Sequence, residues 1–195
     1  PYDPHDHHGL TLYYLALIPA FLKGEHTLQD LTESTLRVVP LAFSILLILI
    51  MWPLRRALGN VETACAAALL ALAVPFAFYS TYYIQEALLV FFTATFLLSG
   101  WRYLRNPGVP WAIATGASAA LMHATKETAV LAFAAAAIAC TPLYLKSRSA
   151  FSIPKNWPKH LAAALIVAIV IWLTLYSAFF THARGPLDSI LTYFN

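Results

Sequence analysis

Long apolar runs separated by short polar stretches divide the chain into candidate membrane spans. Because a helix rises 1.5 Å per residue, roughly 20 apolar residues are needed to cross a hydrocarbon core of about 30 Å. Six runs reach or approach that length, each bounded by charge or proline. We therefore predict an all-α, polytopic transmembrane helical bundle with about six spans, at residues 36–54, 61–79, 86–103, 110–123, 128–145 and 160–180.

Two apolar runs are too short to span on their own. Residues 110–123 would reach only about 20 Å as a helix. We expect that helix to stop below the membrane surface, with residues 124–127 buried in protein or in a water-filled cavity. The other run, residues 10–22, is interrupted by Pro19. We interpret it as an interfacial helix in the first outer loop.

The positions of Lys and Arg predict the orientation of the bundle, since these residues accumulate in short cytoplasmic loops. If the first span enters the cytoplasm, eight cations lie inside and four outside, and almost all acids and histidines lie outside. The chain is then one transmembrane domain in the cytoplasmic membrane, with residues 1–35 and 182–195 outside and 36–181 in the membrane. The inner cations are Arg55, Arg56, Arg102, Arg105, Lys146, Arg148, Lys155 and Lys159.

Composition supports the membrane prediction. The chain is 60% hydrophobic and only 11% charged, which is unusual for a soluble domain. Its net charge of +3 comes from cations clustered between apolar runs, so we exclude nucleic acid as a partner. Because the chain opens at Pro1 within a polar stretch, we expect it to be an internal piece of a longer protein.

Ionisable groups at membrane depth are costly and therefore indicate candidate functional residues. Arg37 is placed at the outer end of the first span, where it could either bind an anion or extend to the interface. Glu86 follows Tyr82 in an outer turn. It could be a catalytic carboxylate, or it could simply stabilise the start of a helix. Lys126 and Glu127 could form a plain ion pair or a substrate-binding pair.

The segment of residues 3–9 is dense in oxygen and nitrogen ligands. His5, Asp6 and His7 could hold a divalent metal ion, and a solvated polar loop is the alternative. Asp6 is, like Glu86, a candidate catalytic carboxylate.

Together these residues predict a cavity for an anionic, lipid-linked substrate, because its tail favours the bilayer and its phosphate favours Arg and Lys. We predict that Arg37, Glu86 and Lys126 converge on one outward-facing pocket.

Short motifs resemble a known family. Residues 8–14 (HGLTLYY) with 35–40 (TLRVVP) resemble the first outer loop and second span of dolichyl-phosphate-mannose protein mannosyltransferase-like proteins, which are type-C glycosyltransferases. Residues 79–86 (YSTYYIQE) and 124–128 (ATKET) are similar to motifs of a prokaryotic branch described as flippase-activity-associated proteins. Two positions depart from that branch, Leu10 standing for its Pro and Thr81 for its Arg.

The resemblance implies a membrane enzyme that moves a sugar from a polyprenyl-phosphate carrier to an acceptor on the non-cytoplasmic face. It would make Glu86 the acid of the second outer loop, Arg37 and Lys126 phosphate partners, and His8 a residue near the sugar. The acidic pair of such enzymes would lie upstream of Pro1, so we expect this piece alone to be inactive.

Two other functions remain open. A non-catalytic subunit could retain the fold and pack against membrane protein partners, which the departures at Leu10 and Thr81 favour. A flippase or transporter would require paired half-helices in two matching halves, and among the six predicted spans only residues 110–123 are unusually short.

Overall fold

A computed structural model describes residues 9–146 and 154–191 of the chain, with the side chains of 142–146 and 190 excepted. Within these ranges the structure is helical and contains no strand, so the predicted all-α fold is confirmed. The α-helices are α1 Thr11–Lys23, α2 Glu33–Ile50, α3 Arg55–Leu58, α4 Asn60–Leu72, α5 Val74–Ser80, α6 Glu86–Arg105, α7 Val109–Thr125, α8 Ala129–Lys146, α9 Trp157–Tyr176 and α10 Gly185–Leu191; a 3₁₀ turn covers Trp52–Leu54.

Three helical segments are long and apolar enough to cross a membrane, namely Glu33–Leu58, α6 and α9. A fourth is possible if α4 and α5, which meet at a 64° bend, form one broken span. The six spans predicted from the sequence are therefore too many for the described residues. Part of the reason is length, because α7 has only 17 residues. α8 has 18 residues, but only the side chains of Ala129–Thr141 are described, so it is not counted among these spans.

The last predicted span also ends earlier than expected. Residues 160–180 were assigned to it, but α9 ends at Tyr176. Beyond it Ala178, Phe179 and Phe180 all have positive φ, a conformation that L-residues rarely adopt and that cannot continue a right-handed helix. The Ser177 hydroxyl accepts a hydrogen bond from the Phe180 amide at 2.9 Å and stabilises this turn.

The chain divides into two compact units, which are described separately. The first, here called the N-terminal unit, is Thr11–Ala94. In it, α2 packs against α1 and α5, and Phe43 of α2 contacts Phe91 and Phe92 with ring centroids 5.1 and 5.4 Å apart. The chain reverses at Gly59, where φ is +110° and a side chain would be strained.

The helix predicted at residues 10–22 is present as α1. Leu12, Ala16 and Ala20 are buried on one face, whereas Leu17 and Phe21 are exposed. An apolar exposed face suits a helix lying at a membrane surface, and this location remains a prediction.

The second unit, here called the C-terminal unit, includes Gly9, Leu10 and the described residues from Thr95 onward. Its core is the parallel pair α7 and α9, which pack most closely at Gly116. A Cβ at Gly116 would overlap the backbone carbonyl of Ala164, so only glycine allows this approach. At the far end of the pair, the Tyr176 hydroxyl donates to the His123 carbonyl at 3.1 Å.

Candidate functional site

Arg37 lies in the second turn of α2 and is held by two neighbours from the N-terminal unit. Its guanidinium forms an ion pair with Glu33, one helical turn earlier, and lies 6.0 Å from the centre of the Tyr82 ring. Tyr82 in turn stacks on Phe78 with ring centroids 4.6 Å apart. The Arg37 side chain is 46% exposed, so its remaining N–H donors are accessible to an anion. The structure thus brings together two of the predicted site residues, Arg37 and Tyr82.

Glu86 is the first residue of α6 and is half-buried. It follows Gln85, which is buried, and precedes the fully buried Leu88 by two residues. A carboxylate in a first helical turn interacts favourably with the helix dipole. The half-buried setting leaves it less solvated than a fully exposed acid.

Thr81 occupies the position at which the resembling branch carries an arginine. Its side chain is exposed, and its hydroxyl donates to the Phe78 carbonyl at 3.0 Å. The hydroxyl therefore satisfies a carbonyl at the end of α5. In the same turn, burial, with a further contribution from Tyr13, raises the pKa of Tyr83 to about 12.

A polar cluster at the connection between α1 and α2 was not predicted from the sequence. Lys23 Nζ donates to the hydroxyls of Ser34 and Thr35 at 3.0 and 2.9 Å. The hydroxyls of Thr32 and Thr35 both lie 2.9 Å from Glu25 Oε1. Thr35 is fully buried, so the cluster fastens the loop after α1 to the start of α2.

The cluster changes the acidity of Glu25. Desolvation raises its pKa, but the hydrogen bonds from Thr35 and Thr32, with the charge of Lys23, outweigh that effect and lower it. The signal in the sequence was the run of hydroxyl residues at 32, 34 and 35. The cluster could not be predicted from that run, because Lys23 and Glu25 lie about ten residues away and a local sequence pattern does not show that they are neighbours.

Lys126 and Glu127 follow the end of α7 in the C-terminal unit. Lys126 has an extended backbone, with φ −160° and ψ 142°, which breaks the helix there. Ala124 and Thr125 just before it are fully buried, and Lys126 and Glu127 are half-buried. As expected for the segment 124–127, neither charged residue projects freely into solvent. A half-buried Lys interacts with an anion more strongly than an exposed one.

Gly9 lies directly against this turn. Its amide donates to the Thr125 carbonyl at 3.2 Å, and a Cβ at Gly9 would overlap the Ala124 carbonyl. Gly9, which follows the predicted site residue His8 in the sequence, is therefore held next to Lys126 by a contact that only glycine permits.

Four predicted site residues, His5, Asp6, His7 and His8, lie outside the residues that the structure describes. Among residues 9–146 and 154–191, no group of three or more His, Cys, Asp or Glu is arranged to hold a metal ion. Arg37 and Glu86 belong to the N-terminal unit and Lys126 to the C-terminal unit. Their convergence on one pocket stays a prediction.

Comparison with known families adds what the geometry alone does not give. The model of the family described as dolichyl-phosphate-mannose-protein mannosyltransferase matches residues 16–175, which are 160 of the 195 residues. The chain belongs to this mannosyltransferase family. No curated protein and no solved structure matches it significantly. Membership of the mannosyltransferase family confirms the resemblance noted in the sequence, and with the apolar helices it identifies a multi-pass membrane protein with a glycosyltransferase-like role.

Proposed function

We propose that the protein transfers a sugar from a polyprenyl-phosphate carrier to an acceptor on the non-cytoplasmic face of the cell membrane. The family match over most of the chain carries this proposal. The charge distribution supports the sidedness, since the segments with Arg37, Glu86 and Lys126 are predicted outside by the positive-inside rule.

Glu86 is proposed as a catalytic carboxylate, the acid of the second outer loop. Its half-buried position at the start of α6 supports this role, because reduced solvation strengthens the interaction of a carboxylate with a bound partner. Asp6, outside the described residues, is the second carboxylate predicted from the sequence.

Arg37 is proposed to bind the departing lipid phosphate. An arginine can form paired hydrogen bonds with phosphate, and its interaction with the Tyr82 ring holds the guanidinium in place without using its N–H donors. The ion pair with Glu33 is largely exposed, and such pairs contribute little to stability, so a dianionic phosphate can compete for the guanidinium.

Lys126 is proposed as a second phosphate partner, with Glu127 beside it in substrate binding. Its half-buried setting after α7 supports the proposal, as does the contact of Gly9, whose amide donates to the Thr125 carbonyl just before Lys126. His8 near the sugar remains what the resemblance implies.

Sugar transfer by the full-length protein in membranes, followed with a labelled polyprenyl-phosphate sugar, tests these roles. Glu86→Gln should lower kcat by about 10²- to 10⁴-fold, the usual contribution of a general acid–base residue. Arg37→Gln should lower kcat/KM by about 10- to 150-fold, as expected for a lost charged hydrogen bond. Lys126→Ala should abolish most of the activity, with membrane insertion unchanged.

Glu33→Gln is the matched control for Arg37, because it removes the ion pair but keeps the cation. It should leave kcat/KM unchanged or raise it. Full activity in both Glu86→Gln and Lys126→Ala would refute the assignment of these residues.

A non-catalytic membrane subunit is the second candidate function. The observation that favours it is Thr81, whose hydroxyl is bonded to a helix-ending carbonyl where the resembling branch has a cation. Absence of transfer by the full-length protein, combined with its stable co-purification with one other membrane protein, would support this alternative.

A further inference from the structure

A cavity of about 380 Å³ lies in the C-terminal unit, where α6 ends and α7 and α9 begin. This volume falls within the roughly 300–1,000 Å³ typical of ligand pockets. The cavity is at the opposite end of α7 from Lys126 and is distinct from the proposed catalytic residues. It is lined by Gly100, Tyr103, Leu104, Ala112, Thr115, Trp157, His160, Leu161 and Ala164.

The cavity has an apolar interior, and the Tyr103 and Thr115 hydroxyls of its wall have hydrogen-bond partners. Tyr103 Oη and His160 Nδ1 are hydrogen-bonded at 3.2 Å. The Thr115 hydroxyl lies 2.8 Å from the Trp111 carbonyl and 2.9 Å from Ser99 Oγ. A Cβ added at Gly100 would have no heavy atom within 4 Å, so this part of the α6 surface faces open space.

Cations surround the same end of the unit. The Arg102 guanidinium lies 5.8 Å from the Trp111 ring, and that of Arg105 lies 5.3 Å from the Trp101 ring. Lys155 and Lys159 are exposed at the start of α9. The positive ends of the α7 and α9 dipoles add to this field.

The described residues at that end include no acid. In the described part of the C-terminal unit, Glu127 and Asp188 are the acids, and they follow the C-terminal ends of α7 and α9 respectively. The distribution of Lys and Arg predicts that the cation-rich end faces the cytoplasm. An apolar cavity next to cations and indole rings, at the predicted cytoplasmic end of the unit, has the features expected of a lipid site.

We propose that this cavity binds an anionic glycerophospholipid of the cytoplasmic leaflet, with one acyl chain between α6, α7 and α9 and its phosphate near Arg105 and Lys159. The apolar lining suits an acyl chain, and the neighbouring cations are complementary in charge to a lipid phosphate. The cations favour an anionic headgroup over a zwitterionic one. The site is independent of the proposed sugar transfer.

The test is quenching of tryptophan fluorescence by brominated lipids. Trp157 lines the cavity, and Trp101 and Trp111 lie beneath the surrounding cations. The protein is reconstituted in phosphatidylcholine vesicles with increasing mole fractions of phosphatidylglycerol that carries bromine on its acyl chains. We expect quenching that saturates at low mole fraction. Brominated phosphatidylcholine should give only a gradual, proportional decrease.

Two kinds of variant should change that saturation. Gly100→Leu fills the cavity and should remove the saturable quenching, whereas Gly100→Ala adds one methyl group and should largely keep it. Replacing Arg105 and Lys159 by Gln should raise the half-saturating mole fraction roughly fivefold per cation, or about 25-fold together. Arg184→Gln removes an exposed cation beyond the other end of α9 and serves as the control.

Several results would overturn the proposal. Equal saturation by brominated phosphatidylcholine would show that no anionic lipid is selected. Saturation unchanged in both Gly100→Leu and the double cation variant would place the lipid elsewhere. Shielding of the same tryptophans by self-association, detected as a crosslinked dimer in lipid-free detergent, would identify a second protein copy as the occupant.

Discussion

Replacing Gly116 by alanine should destabilise the protein, although the same change usually strengthens a helix. In an ordinary helix interior, alanine is favoured over glycine by about 0.5–1 kcal/mol, because glycine loses more backbone entropy on folding. Here the new Cβ would overlap the backbone carbonyl of Ala164, which cannot rotate away as a side chain can. The two helices must move apart, and overpacking of this kind costs about 1–3 kcal/mol.

Gly100→Ala is the matched comparison, because both glycines lie within helices but Gly100 has open space around its Cβ. We expect Gly100→Ala to be neutral or to stabilise by up to about 1 kcal/mol. The assay is denaturant-induced unfolding in detergent micelles, followed by the loss of helical circular dichroism. The reasoning would be refuted if Gly116→Ala were as stable as Gly100→Ala, since the close approach of α7 and α9 would then not exist in the protein.

Two further predictions concern contacts found only in the structure. Glu25→Gln should lower the free energy of unfolding at neutral pH, because the folded pKa of Glu25 lies below its ordinary value. The difference from the wild type should disappear as the pH falls through that lowered pKa. Unfolding curves at neutral and acidic pH measure it. Gly9→Ala should displace the segment before α1 from the Ala124 carbonyl. The KM for the lipid-linked sugar should rise, while the helical content stays the same. An unchanged KM would mean that this segment takes no part in donor binding.

The positions of the helices could be predicted well from the sequence, because they depend on local apolar runs. The predicted segments 86–103, 110–123 and 128–145 correspond to α6, α7 and α8 within one or two residues at each end. The segment 61–79 was predicted as one span, whereas the structure breaks it into α4 and α5 at Ala73. Pro75 was a visible signal for that break, but hydropathy alone does not register it.

Contacts between distant parts of the chain could not be predicted in this way. Nothing in the pattern around Gly116 identifies Ala164 as its neighbour. The cluster of Lys23, Glu25 and Thr35 likewise depends on how the loop after α1 folds back on α2. Of the candidate site, the sequence predicted the residue types and the half-buried setting of Lys126, whereas the partners of Arg37 required the structure.

The 64° bend between α4 and α5 has a consequence for solvation. Ala73 is extended, and Pro75 has no amide hydrogen, so the regular ladder of backbone hydrogen bonds is interrupted there. Hydrocarbon offers no replacement partners for the carbonyls released at such a break, which is why broken helices persist in membranes only beside polar protein groups or water. If α4 and α5 form one broken span, we therefore expect the bend to be hydrated or covered by polar protein rather than surrounded by lipid.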